Sequence, residues 1–199
     1  MNYDDRRIAG LLGFVAGVQI ILAIIICEVV YSGYSVGQQY ISDLGNWSLA
    51  GNYAAIFNVS IIFAGTLGIA SAYFIQRAFK NRLFTSLLMI STFCNILIGV
   101  FAEDISMPAH GISALIGLIF GLGATLMTYK FVKSPLSYAP IILGGMIIVA
   151  VVLQGSGFYL GLGLGGIERL EIYPSLLWGL GFDAYLIGES SNTALTGKA

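Results

Sequence analysis

Six long runs of apolar residues, separated by short polar connections, constrain this chain more than any other feature of its sequence. The runs cover about residues 8–31, 53–75, 83–102, 111–129, 139–160 and 167–187. Each is close to the roughly 20 apolar residues that a helix needs to cross the hydrocarbon core of a bilayer. The expected fold is therefore all-α, a polytopic membrane protein whose single domain, residues 1–199, is a bundle of six transmembrane helices.

The composition supports a surface that faces lipid. The chain is 57% hydrophobic and only 10% charged, whereas soluble domains carry about 25% charged residues. The first run is longer than the apolar region of a signal peptide and no small-residue cleavage site follows it, so it is predicted to be a retained first span. The net charge of −1 does not suggest a nucleic-acid partner.

The basic residues predict the orientation in the cell membrane, because lysine and arginine stay on the cytoplasmic side. Eight of the nine fall on the N-terminus, the second and fourth connections and the C-terminus: Arg6, Arg7, Arg77, Lys80, Arg82, Lys130, Lys133 and Lys198. Both termini are therefore predicted to be cytoplasmic. The outer side then collects six acidic residues against a single arginine, Arg169.

A polar cluster is predicted at the outer end of the bundle, built from three separate connections. Its members are Asp43, Glu103, Asp104, His110, Glu168 and Arg169, with Asn58 at the start of the second span. Ionisable residues at the edge of apolar helices are costly unless they are paired or hydrated. We expect Arg169 to pair with Asp43 or Asp104, because Glu168 points to a different face of the same helix.

Two interpretations of this cluster stay open. In one it is a ligand-binding pocket, in which His110 is a candidate general acid or base because its ordinary pKa lies near physiological pH. In the other it is a structural clasp: Asp43 caps a short helix, Pro108 opens the fourth span and Arg169 ties loops together. Neither a metal nor a cofactor is predicted, since one histidine is fewer than zinc or bis-histidine haem sites use.

Small residues within the spans predict close helix packing. Gly13 and Gly17 are four residues apart, as are Gly117 and Gly121, and such pairs let helices approach closely. They fit packing inside one bundle or the seam of a homo-oligomer. Asn46-Trp47-Ser48 is a glycosylation sequon in the first outer connection.

Several short motifs, taken in order, carry a family resemblance. They are Tyr40-Ile41-Ser42-Asp43-Leu44-Gly45, Ile56-Phe57-Asn58 with Gly65, Gly99-Val100-Phe101-Ala102-Glu103-Asp104 with His110, and Gly165-Gly166-Ile167-Glu168-Arg169. The chain resembles a largely archaeal membrane family called domain of unknown function 998. The resemblance implies a six-helix integral membrane protein and implies no activity. Ala102 departs from the pattern, where a proline is expected.

The first functional hypothesis is a membrane protein without catalytic activity that binds a small ligand, a lipid or a partner through its outer face. The alternatives are a membrane-embedded hydrolase acting on a lipid or isoprenoid head group, an accessory subunit of a larger membrane complex, and a proton- or cation-coupled transporter. The hydrolase would use His110 as its acid or base. The transporter would need a polar path from the outer cluster to Asn58, Asn95 or Asp183.

Overall fold

The computed structural model describes the backbone of residues 3–195 and the side chains of residues 5–189, so Lys198 and both ends of the predicted domain lie outside it. The described chain contains helices and no strand, which confirms the all-α class. The six long helices are α1 (Tyr3–Val30), α2 (Ala54–Phe79), α3 (Arg82–Val100), α4 (Glu103–Met127), α5 (Ala139–Ser156) and α6 (Gly163–Leu195). Short helical turns at Ser42–Gly45, Trp47–Ala50 and Gly51–Tyr53 fill the connection between α1 and α2.

Five helical segments are long and apolar enough to cross a membrane: Asp5–Val30, Trp47–Phe79, Arg82–Val100, Glu103–Lys130 and Leu136–Ser156. Helix α6 is not among those found in the described chain, and it carries Glu168, Arg169, Glu171 and Asp183. It nevertheless packs along α1 and α5 as part of the bundle. The protein is therefore a helical membrane bundle, and a sixth crossing by α6 stays a prediction.

The helices form a ring that is loosely closed on one side. Helix α1 packs along α2, α2 along α3 and α3 along α4, while α6 returns to lie between α1 and α5. Contacts of α4 with α5 and α6 are sparse by comparison. An aromatic cluster of Phe79, Phe84, Phe131 and Phe182 fills one end of the ring. A second apolar core, around Cys27, Leu44 and Phe57, lies toward the other end.

Ion pairs hold together the end of the bundle that carries the basic residues. Arg77 at the end of α2 lies 3.2 Å from Asp5 near the N-terminus. Lys133, in the connection between α4 and α5, donates to Glu189 of α6 at 2.9 Å. The second and fourth connections and the two ends of the chain therefore share one end of the bundle, as the charge pattern predicted. Its cytoplasmic location stays a prediction.

The turn between α3 and α4 is tighter than expected, because α4 begins at Glu103 and not near residue 111. Glu103 and Asp104 occupy its first turn, where negative charge is favourable beside the free N–H groups. Ser106 is non-helical at φ −159° and ψ 90°, which kinks the helix just before Pro108. Ala102 has a φ of −55°, within the range to which proline is restricted, so the departure from the family pattern leaves the turn intact.

The predicted glycine pairs pack against neighbouring helices of the same bundle. A Cβ atom on Gly17 would lie 2.7 Å from Leu180 of α6, and one on Gly10 would lie 2.6 Å from the carbonyl oxygen of Asp183. Gly117 faces Cys94 of α3 in the same manner. The small residues of α1 and α4 therefore pack against helices of the same chain. A homo-oligomer stays a prediction, and these glycine pairs are no longer an argument for it.

We expect Gly10→Ala to lower the thermal unfolding temperature of the protein in neutral detergent, since the added methyl group meets the α6 backbone, which cannot move aside as a side chain would. Overpacking of this kind costs about 1–3 kcal/mol. The matched control is Gly145→Ala in α5, where an added Cβ meets nothing within 4 Å. Equal unfolding temperatures for both variants would contradict the close approach of α1 and α6.

Candidate functional site

Arg169 is the most connected polar side chain at the outer end. It is 7% exposed and lies on the face of α6 that packs along α1. Its Nη2 donates to Glu28 Oε1 at 2.6 Å and to the Tyr34 hydroxyl at 2.7 Å. Its Nη1 donates to the carbonyl oxygens of Val36 at 2.9 Å and Gly165 at 2.8 Å. One guanidinium therefore joins α1, the first connection and the start of α6.

The expected pairing of Arg169 with Asp43 or Asp104 is wrong, because its partner is Glu28. Glu28 lies inside the first predicted span, residues 8–31, and the last turn of α1 brings its carboxylate directly against α6. Tyr34 completes the arrangement by donating to the Tyr40 carbonyl at 2.7 Å. Burial of its phenol raises the pKa of Tyr34 to about 12 and outweighs the nearby Arg169, so this hydroxyl stays a donor.

Asp43, Glu103 and His110 form a compact group on the other side of the first connection. Asp43 lies in the turn Ser42–Gly45, and its Oδ2 accepts from the Tyr40 amide at 2.9 Å. Burial raises the pKa of Asp43, and the negative charge of the neighbouring Glu103 raises it further. A second carboxyl group nearby favours the protonated form of Asp43.

The kink of α4 places His110 beside this pair. The imidazole is buried, with its Nδ1 2.9 Å from the Phe101 carbonyl oxygen and its Nε2 3.9 Å from Glu103 Oε1. A carbonyl oxygen only accepts, so Nδ1 carries a hydrogen and Nε2 is the atom that gains or loses a proton. The reactive edge of the ring therefore faces the carboxyl pair.

Glu168 extends the acidic group toward α6. Its carboxylate accepts a hydrogen bond from the backbone amide of Ile41, two residues before Asp43. The ring of Tyr40 lies among these acids: burial raises its pKa first, followed by the charges of Tyr159, Glu168, Asp43 and Glu103. Tyr40 was not predicted as a site residue, although its position three residues before Asp43 placed it in the same turn.

Asp104 and Asn58 are apart from this group and support the loop that carries it. Asp104 is exposed and caps the short helix Trp47–Ala50. It accepts hydrogen bonds from the Ser48 amide at 2.8 Å and from the Ser48 hydroxyl at 2.9 Å. Asn58 is buried and donates to the Gly45 carbonyl at 2.8 Å. Asn46, the residue of the sequon, caps the same short helix through its side-chain oxygen. The roles of Asp104 and Asn58 as ligand-binding residues stay predictions.

Within the described side chains, no group of three or more histidine, cysteine, aspartate or glutamate residues is arranged to hold a metal ion. The outer end instead contains two distinct arrangements. One is the Arg169 clasp, formed by Arg169, Glu28 and Tyr34. The other is the acidic group, formed by Asp43, Glu103, His110 and Glu168.

We expect Arg169→Gln to destabilise the protein strongly, because it removes the buried guanidinium that joins three segments and leaves the half-buried Glu28 without its cation. Removing one partner of a buried ion pair costs roughly 3–5 kcal/mol. Thermal unfolding in detergent measures the loss, and faster hydrogen exchange at the amides of residues 36–41 locates it. Lys133→Gln removes an exposed ion pair and serves as the control that leaves both readouts unchanged. A stable Arg169→Gln variant with a protected loop would contradict the clasp.

We expect Asp43→Asn to stabilise the protein at neutral pH. The folded-state pKa of Asp43 is raised. Its contribution to the free energy of unfolding is therefore fully present at acid pH and is lost as the pH rises through that pKa. Asparagine is neutral throughout and still accepts from the Tyr40 amide. Unfolding temperatures of both proteins, measured from acid to neutral pH, should converge at the acid end. A variant that is less stable at neutral pH would contradict this assignment.

A search of curated proteins finds no match, and neither does a search of solved structures. A family model matches residues 14–182, described as "Protein of unknown function (DUF998)". The matched region covers most of the chain and includes the Arg169 clasp and the acidic group. With its helical membrane bundle and this match, the chain belongs to the DUF998 family of membrane proteins of unknown function.

Proposed function

We propose that this protein is a multi-pass protein of the cell membrane that binds a small, positively charged ligand, or a lipid head group of that character, through its acidic group. The observation that carries the proposal is that Glu103, near enough to raise the pKa of Asp43, also lies beside the buried His110, with 3.9 Å between its Oε1 and His110 Nε2. The group concentrates hydrogen-bond acceptors and negative charge where a ligand with an ammonium group would supply the missing donors and charge.

The charges around the acidic group favour this ligand class. The arginine at this end is engaged by Glu28 and by backbone carbonyl oxygens. Among the described side chains, no lysine or arginine forms an ion pair with Asp43, Glu103 or Glu168. A cation bound there would relieve the mutual repulsion of the carboxylates. The basic residues gather at the opposite end, so the positive-inside rule directs this site to the outer face.

A lipid or isoprenoid hydrolase is the second candidate, and the orientation of His110 favours it. The Phe101 carbonyl holds Nδ1, leaving Nε2 directed at a carboxyl group, which is the geometry of an oriented general base. Turnover that is lost in His110→Gln while ammonium binding persists would establish this function. The accessory-subunit and transporter alternatives stay predictions from sequence.

Isothermal titration in neutral detergent tests the binding function, using ethanolammonium and tetramethylammonium as probes and ethylene glycol as a neutral comparison. Asp43→Asn and Glu103→Gln should each weaken binding of ethanolammonium about ten- to hundred-fold, the value of one hydrogen bond to a charged group. Tetramethylammonium has no N–H to donate, so its binding should weaken only through the lost charge. Binding should also weaken as the pH falls, because protons compete for the Asp43 carboxylate, whose pKa is raised.

Glu189→Gln is the matched control, since this carboxylate pairs with Lys133 at the opposite end of the bundle, and its affinity should equal that of the unmodified protein. The proposal would be refuted if the unmodified protein bound neither ammonium probe. It would also be refuted if the Asp43→Asn and Glu103→Gln variants bound both probes as tightly as the unmodified protein does.

A further inference from the structure

Glu171 is a carboxyl group inside the bundle that neither outer arrangement uses. It is 7% exposed and lies one turn below Glu168 on α6, about 4.5 Å farther along the helix axis. Gln154 of α5 faces it, with its side-chain amide within hydrogen-bond reach of the carboxyl oxygens. The amide nitrogen donates to a carboxylate, and the amide oxygen accepts from a protonated carboxyl group, so Gln154 can partner either form. Gln154 lies two residues before the end of α5 at Ser156, so the pair is just inside the outer end of the bundle.

The polar groups below Glu171 on the same face of α6 satisfy one another. Ser175 lies 3.2 Å from Thr125 of α4, hydroxyl to hydroxyl. One turn farther, Trp178 Nε1 donates to the Thr128 hydroxyl at 2.7 Å. Beneath them the aromatic cluster fills the ring. The route from Glu171 to water therefore runs outward, toward Glu168 and the first connection.

No cation balances Glu171 among the described side chains. The charged groups nearest to it on its own helix are Glu168 and Arg169, and Arg169 is directed to α1, where it pairs with Glu28. Helix α5 contributes the neutral Gln154, and the one histidine, on α4, faces Glu103. A buried carboxylate without a cation is costly, whereas a protonated carboxyl group with an amide partner is not.

We propose that Glu171 is a proton-binding site within the bundle, and that it exchanges its proton with the outer surface through Glu168. The proton passes from the Glu171 carboxyl oxygen to the Glu168 carboxylate and from there to water. The remaining Glu171 carboxylate accepts from the Gln154 amide nitrogen, and only the O–H bond is broken. The site at Glu171 does not require Asp43 or Glu103, although its route to water passes through Glu168, a member of the acidic group.

Infrared difference spectroscopy on the whole protein in lipid nanodiscs tests the site, because a protonated carboxyl group has a C=O stretching band that a carboxylate lacks. At neutral pH, Glu171→Gln should remove one such band from the spectrum of the unmodified protein. Glutamine has the same shape and still accepts from Gln154, so the fold is expected to persist, and thermal unfolding checks it. After transfer into deuterated buffer, the shift of the same band measures how fast the carboxyl proton is replaced by deuterium.

Glu168→Gln should retain the Glu171 band and slow its shift in deuterated buffer, since the relay is interrupted. Asp183→Asn is the matched control: Asp183 lies on the same helix against Gly13 of α1, and its replacement should alter neither the Glu171 band nor its exchange. A spectrum unchanged by Glu171→Gln would overturn the proton-binding site. Exchange of the Glu171 band at an equal rate with and without Glu168 would overturn the route.

Discussion

The outer end of this protein depends on one buried guanidinium. Arg169 donates to a carboxylate, a phenol and backbone carbonyl oxygens from three separate segments. A buried arginine without such partners would strongly destabilise an apolar bundle. The last turn of α1, the first connection and the start of α6 must therefore pack against one another. The interaction anchors the long first connection to the start of α6 through Tyr34 and the Val36 carbonyl oxygen.

The same interaction sets the charge of the neighbouring acidic group. Because Glu28 and carbonyl oxygens engage the arginine, Asp43, Glu103 and Glu168 are left with His110 and backbone donors. The clasp interpretation is confirmed for Arg169, whereas the ligand-binding interpretation stays a prediction. Arg169, Asp104 and Asn58 act as a clasp and as loop supports, while Asp43, Glu103 and His110 form the group on which the binding proposal depends.

The polar residues of α6 divide between two faces with different surroundings. Arg169 and Asp183 face α1, whereas Glu168, Glu171, Ser175 and Trp178 follow the interior of the ring. The sequence placed Glu168, Arg169 and Glu171 together at the opening of a span without separating these faces. This separation matters because the two faces stabilise their charges differently. The face of Arg169 neutralises its charge with an ion pair, whereas the carboxyl groups of Glu168 and Glu171 are stabilised by hydrogen bonds and by protonation.

The sequence by itself determined the class of fold, the approximate helix positions and the grouping of the connections at two ends, because helix length and lysine and arginine bias are local properties of the chain. It also identified Asp43, Glu103 and His110 as neighbours through their shared end. The partner of Arg169, the early start of α4 and the Glu171–Gln154 pair were decided only by tertiary structure. The start of α4 depends on the non-helical backbone of Ser106, which joins a first turn to the rest of the helix. The other two depend on the rotation of one helix against another, and a helix that is apolar on most faces contains little local information about which face it turns to its neighbour.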